Sequence, residues 1–308
     1  MNFTGVDRVV YGVEDMAKSR QFFTDWGLKL AGDSNGCPVF ETLDGTEIVL
    51  SPADDKDLPP AIEPGSTARR VVWGVASEAD LDAVRGRIGK LEGFAEEAWG
   101  PSITDPNGLR ISFRVTRRRN VAITGSPCNT IDKDYRNGTR NPVYTHAEPY
   151  KVGHVVFFSP DVMAAVKFYT DVLGFIISDS YPGGGYFLRC EKIGGHHDLF
   201  LLQTPDKKRG LNHVSFTLRD IHEVFGGGIA MNGKGWKTQI GPGRHPISSA
   251  YFWYVHCPAG AVAEYYSNED ICGPDWKAAE WERNNTNFAE WAIAGGIDAA
   301  SRRQVQPA

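Results

Sequence analysis

The chain has 308 residues, 41% hydrophobic and 23% charged, with a formal net charge of −5. That balance excludes intrinsic disorder, leaves room for two domains with their own cores, and supplies no basic field for nucleic acid or an anionic membrane surface. The apolar runs are too short for a membrane-spanning helix, and the opening residues MNFTGVDRVVYG lack the order of a secretory signal, so a cytoplasmic protein is expected.

In chain order, the first expected strand is GVDRVVYGV from Gly5. Asp15 then caps a helix carrying the aromatic pair Phe22 and Phe23, and Gly27 stops it. A second strand, turn and helix begin at Arg69 in RRVVWGVASEADLDAVRGRI, and SITDPNGLRISFRV from Ser102 reads as a hairpin. From about Thr116 to Tyr150 the chain is rich in Arg, Asn, Pro and Gly without periodicity, a linker whose basic run Arg117-Arg118-Arg119 reads as solvated loop.

KVGHVVFF from Lys151 then restarts the pattern. It is followed by Asp161, a helix with Phe168 and Tyr169, Thr-Asp, and a stop at Gly174, so the segment repeats the one from Gly5 almost position by position. Gly183-Gly184-Gly185 is a hairpin and not a phosphate loop, since neither a strand–loop–helix order nor a Lys follows. LNHVSFTLRDIHEVFGGGI from Leu211 repeats the Arg69 segment, and AYFWYVHCPAGAVAEYYS from Ala250 repeats the hairpin. The chain thus holds four modules of strand, helix and several strands, arranged as two pairs. A tail from Ile271 carries Trp276, Trp281 and Trp291, which cannot all face water, so it folds back on a domain or a neighbouring subunit. The five cysteines are scattered, never spaced as C-x-x-C, and read as reduced thiols.

A duplicated chain supplies its own control. Where the second half has His154 on its first strand, the first half has Arg8; where it has His213, the first has Arg70 or Val71 depending on register; where it has Glu264, the first has Ser112. The fold therefore does not require two imidazoles and a carboxylate. A lone histidine in such a strand is ordinarily a hydrogen-bonded core residue. Three such groups on corresponding strands of sister modules are different, because an unpaired buried carboxylate costs several kcal/mol and a bound cation removes that cost. Two His and one carboxylate make the set that holds non-haem Fe(II) on one face and leaves positions open for chemistry.

The repeat, the placement of these three residues and GPGRHPISSAYFWYVHCPAGAVAEYY together resemble the type I extradiol dioxygenases of the vicinal oxygen chelate superfamily. The likeness spans the whole chain in architecture and is specific from about Tyr150 to Asp270. It implies an α+β fold of four βαβββ modules paired into two similar domains, each an incomplete β-barrel with flanking helices. The expected boundaries are residues 1–120 for a degenerate domain without metal ligands, 121–149 for the linker, 150–270 for the catalytic domain and 271–308 for the tail.

The resemblance further implies that His154, His213 and Glu264 bind Fe(II), with Mn(II) as an alternative, and that a catechol-like diol and O2 are the partners. It gives His245 and Tyr254 the task of holding substrate oxygens. It makes His197 the acid–base group, with His196 as runner-up and Tyr251 as a rival to Tyr254. A homo-oligomer is expected from the same likeness. Val156, two residues after His154, and Ile240, before GPG, depart from relatives with polar or arginine residues there, and Arg244 is left as a source of charge. His256 is expected to be structural. The competing readings are a glyoxalase-type isomerase, for which no spare fourth ligand stands at the matching strand position, and a metal-free binding or resistance protein, which would resemble the first half.

Overall fold

The computed structural model describes residues 1–34 and 36–297. Four modules follow one another, each a long strand, a helix and three strands, with a further two-residue strand, Gly194–Gly195, in the third. The helix starts are set by the expected caps: Asp15 accepts from the Lys18 N–H at 2.9 Å, and Asp161 from the Ala164 N–H at 3.0 Å. Gly27 and Gly174 end the two equivalent helical segments at φ +92° and +79°, a conformation that a side chain would strain. The second of these segments finishes in a π-helical turn, Phe168–Val172.

The first two modules form one eight-stranded sheet. Its centre is the antiparallel pair Phe3–Val13 and Thr67–Val75, flanked in parallel by Glu47–Pro52 and Arg110–Val115. The second half repeats this plan: Lys151–Phe158 and Gly210–Thr217 pair antiparallel, flanked in parallel by Leu199–Leu202 and Val262–Ser267. Its sheet has ten strands because the segment after Ile271 adds one at each edge. Ala279–Glu280 pairs with Ile176–Tyr181, and Trp291–Ala294 with Thr238–Arg244, which satisfies edge groups that would otherwise be exposed. Gly183 and its neighbours form the hairpin between Ile176–Tyr181 and Gly185–Arg189.

The Trp276 and Trp281 indoles donate to the Ser178 carbonyl and to Asp179, each at 2.9 Å, while Trp291 packs near Tyr251. Residues 298–308 of the expected tail lie outside the described residues. All five cysteines are free thiols.

The halves meet through aromatic side chains. Trp26 stacks on Tyr265 with ring centroids 3.5 Å apart, and the Tyr265 hydroxyl donates to the Trp26 carbonyl at 2.7 Å. On the other side Phe175 meets Phe3 and Trp73 edge-on, and the Tyr169 hydroxyl donates to buried Asp105 at 3.0 Å. With this seam closed, the second sheet is held as a fixed platform for the side chains on its inner face.

Candidate metal centre

Four adjacent strands of the second half place one residue each in a single cross-strand row. His154 lies opposite Ser215, Ser215 opposite Glu264, and Glu264 opposite Tyr254. His213 sits two residues before Ser215, so the strand's period of two turns it to the same face. His154 Nε2 lies 3.1 Å from Glu264 Oε2, His213 Nε2 lies 3.4 Å from the same oxygen, and the two imidazole nitrogens are 3.4 Å apart. All three residues are buried.

The donor set fits a divalent cation. Bonds of about 2.1 Å at right angles need donors about 3 Å apart, close to the spacing here. His213 Nδ1 donates to Asn212 Oδ1 at 2.6 Å, which leaves its Nε2 as a lone pair aimed at the others. Burial holds His154 below the usual imidazole range, in the neutral form a ligand requires. Lone pairs thus converge on one point, and the Ser215 hydroxyl is the group that donates among them, to Glu264 Oε2. Among the described residues this is the one cluster of His, Cys, Asp or Glu with metal-binding spacing.

The remaining expected residues gather around it. His245 Nδ1 donates to the Phe288 carbonyl at 2.6 Å, its Nε2 receives the Tyr254 hydroxyl at 3.2 Å, and it stands 3.6 Å from Glu264 Oε1. Burial pushes the Tyr254 hydroxyl well above its usual range, so it stays a donor. His197 lies with its ring 4.1 Å from that of His154, and burial lowers its pKa well below the imidazole norm. Tyr251 stays outside the cavity wall, against Trp291; Arg244 pairs with Glu290; His256 is exposed but borders the cavity.

A cavity of about 650 Å³ opens onto the three ligand-type residues, a volume suited to a small molecule. One wall is aromatic, with Phe187 stacked on Phe200 at 3.9 Å and Tyr181 beside them. Val156 packs in the same apolar cluster as these rings, together with Ile247.

Sequence reasoning missed Ser215, Asn212 and Glu269. Ser215 was readable by the same comparison of halves, since the register places Val72 at its position. Glu269 accepts from the Tyr266 hydroxyl at 2.9 Å and is pushed up to about 7 by burial, but it follows the last strand and no repeat marks it. In the first half the equivalent row is Arg8, Val72 and Ser112, with Arg70 at the place of His213. Arg8 pairs with Glu47 and Arg70 with Glu97, each at 2.5 Å, and both guanidinium groups cover the Trp99 ring.

Residues 151–265, which carry this centre, match the glyoxalase/bleomycin resistance protein/dioxygenase superfamily. The chain is 32% identical over 145 residues to metapyrocatechase 2 of Cupriavidus necator, an alignment covering 46% of this chain and 44% of that protein. It is 31% identical over 278 residues to biphenyl-2,3-diol 1,2-dioxygenase of Paraburkholderia xenovorans (strain LB400), covering 86% of this chain and 88% of that one. Among solved structures, the Mn(II)-bound glyoxalase from Novosphingobium aromaticivorans superposes with a TM-score of 0.74 at 24% identity, over 100% of this chain and 96% of that one. The chain belongs to the extradiol dioxygenase family. Its relatives by sequence carry the names of ring-cleaving dioxygenases, which favours that chemistry over the isomerase and resistance-protein readings.

Proposed function

We propose that the chain is an extradiol ring-cleavage dioxygenase in which His154, His213 and Glu264 hold Fe(II) or Mn(II), and that it opens a catechol-like diol with both atoms of O2. The observation that carries this reading is the convergence of three buried donors from three adjacent strands, 3.1 to 3.4 Å apart, at the floor of a cavity. When bound, the metal supplies a Lewis-acid centre for two adjacent substrate oxygens and an open position for O2.

The protein's own groups do the rest. The aromatic wall of Phe187 and Phe200 receives the ring and excludes water from it. Tyr254 and His245, joined through hydroxyl and Nε2, hold the diol oxygens and so select the carbon–carbon bond that breaks. His197, neutral because it is buried, accepts the diol proton and returns one later in the cycle. The product is a semialdehyde or keto acid carrying both oxygen atoms.

We assign the first half to support and subunit contact, since its equivalent row is closed by ion pairs, and residues 1–120, 121–149, 150–270 and 271–308 to buttress, linker, catalytic unit and tail. A homo-oligomer is supported by exposed apolar side chains such as Ile131, Val143 and Ile271. No helix among the described residues is long and apolar enough to cross a membrane, and five free thiols support a reducing cytoplasm.

The test is oxygen uptake by anaerobically purified, metal-loaded protein mixed with catechol and its alkyl and aryl derivatives. Stoichiometric O2 consumption with a yellow ring-opened product is expected. No uptake with any diol by a fully metallated protein would reject the proposal.

A further inference from the structure

Leading away from His197 is a buried run of polar groups, His196 and Asp179, that the reaction scheme does not use. His197 Nδ1 meets His196 Nδ1 at 3.1 Å, and His196 Nε2 stands 3.4 Å from Asp179 Oδ2, off the line of a hydrogen bond and without another partner. His196 is fully buried, edge-on to Phe187 and Trp276, and its backbone N–H is anchored on Glu269 Oε2 at 3.0 Å. Asp179 is held from the far side by the tail, accepting from the Ala279 N–H at 2.8 Å and the Trp281 indole at 2.9 Å.

Two nitrogens 3.1 Å apart cannot both donate or both accept. One tautomer of each ring must be selected, and Asp179 selects it. Burial opposes its charge, but His196 and its N–H donors outweigh that and hold its pKa below the usual carboxylate range. A carboxylate oxygen 3.4 Å from His196 Nε2 can accept and not donate, which favours the proton on that nitrogen. A His196 ring carrying that one proton presents Nδ1 as a lone pair, which accepts from His197 Nδ1 at 3.1 Å. The other nitrogen of His197 is left for the cavity that the ring lines.

We propose that Asp179 and His196 are positioning residues that fix His197 in its Nδ1–H tautomer, so that Nε2 faces the cavity as a proton acceptor. This rests on the acid–base role given to His197 above. It also gives the tail a part in the active site, because Trp281 and Ala279 orient the carboxylate that begins the chain.

Three measurements test it together. On the full chain, metal-free and loaded with diamagnetic Zn(II), ¹⁵N-histidine NMR should show His197 protonated at Nδ1; protonation at Nε2 would overturn the proposal without any variant. His196→Asn keeps an acceptor oxygen where Nδ1 stood, whereas His196→Phe fills the same space without one. With Fe(II) bound and the best diol, His196→Phe should lose kcat by about 10- to 100-fold with KM within about threefold, and His196→Asn should recover most of it. Equal kcat in the two variants would sink the positioning role while wild-type turnover leaves ring cleavage intact. A wild type that cleaves no diol while its NMR shows the Nδ1–H form would instead overturn the function and keep the tautomer assignment.

Discussion

His154 and Glu264 stand on strands that do not pair with each other, yet His154 Nε2 and Glu264 Oε2 are 3.1 Å apart. Gly210–Thr217 runs between those strands, and its residue in the same row is Ser215, whose small side chain lets the flanking groups close over it. Ser215 Oγ reaches both, 2.7 Å from His154 Nε2 and donating to Glu264 Oε2. A larger residue there would hold the two apart.

The first prediction concerns the metal. His154→Ala or Glu264→Ala should reduce bound Fe from near one per chain to a small fraction, because each removes a third of the protein donors. Elemental analysis after anaerobic purification checks this. Full metal in both variants means the ligands lie elsewhere.

Ser215→Ala removes the hydroxyl that orients the Glu264 carboxylate while keeping the row closed. Metal affinity should fall by about 10-fold, with the secondary structure unchanged. Competition against a chelator reads the affinity; an unaltered dissociation constant would show that the hydroxyl is incidental.

His197→Phe keeps the ring volume against His154 but has no nitrogen. Metal content should stay at the wild-type level while kcat drops by about 100-fold or more. Turnover within a few-fold of wild type would remove His197 from proton transfer.

Stability should depend on pH through Asp105. Burial raises this carboxyl to about 6 although it accepts from the Tyr169 hydroxyl and the Leu109 and Asn107 N–H groups. The folded state therefore binds the proton more tightly than the unfolded chain, where the value is about 3.9. The stabilisation is complete below about pH 4 and is lost as pH rises through about 6, on the order of 3 kcal/mol in all. Asp105→Asn keeps an oxygen for both N–H groups and should flatten the curve of melting temperature against pH between 4 and 6. A variant curve parallel to that of the wild type would count against this group as the cause.

Much of the fold was legible because it is written twice. The capped helices after Asp15 and Asp161 and the glycine stops at Gly27 and Gly174 are local signals, and their recurrence marks the duplication without any contact being known. The candidate donors were legible for the same reason: His154, His213 and Glu264 stand where the other copy has Arg8, Arg70 and Ser112. The choice between Arg70 and Val71 was not, since a shift of one residue turns a side chain to the opposite face and only the pairing sets it.

What the sequence by itself determined is therefore which residues could bind a cation and on which kind of element each lies, because strand periodicity and caps act over a few neighbours. What only the tertiary structure decided is their meeting. Strand order brings positions 154, 215, 264 and 254 into one row, and the tail, crossing back over both edges of the sheet, sets Trp281 on Asp179 and Phe288 on His245. Those contacts join residues from 10 to 110 positions apart in the chain, where closure is driven by burial of the whole sheet and leaves no mark in any short stretch.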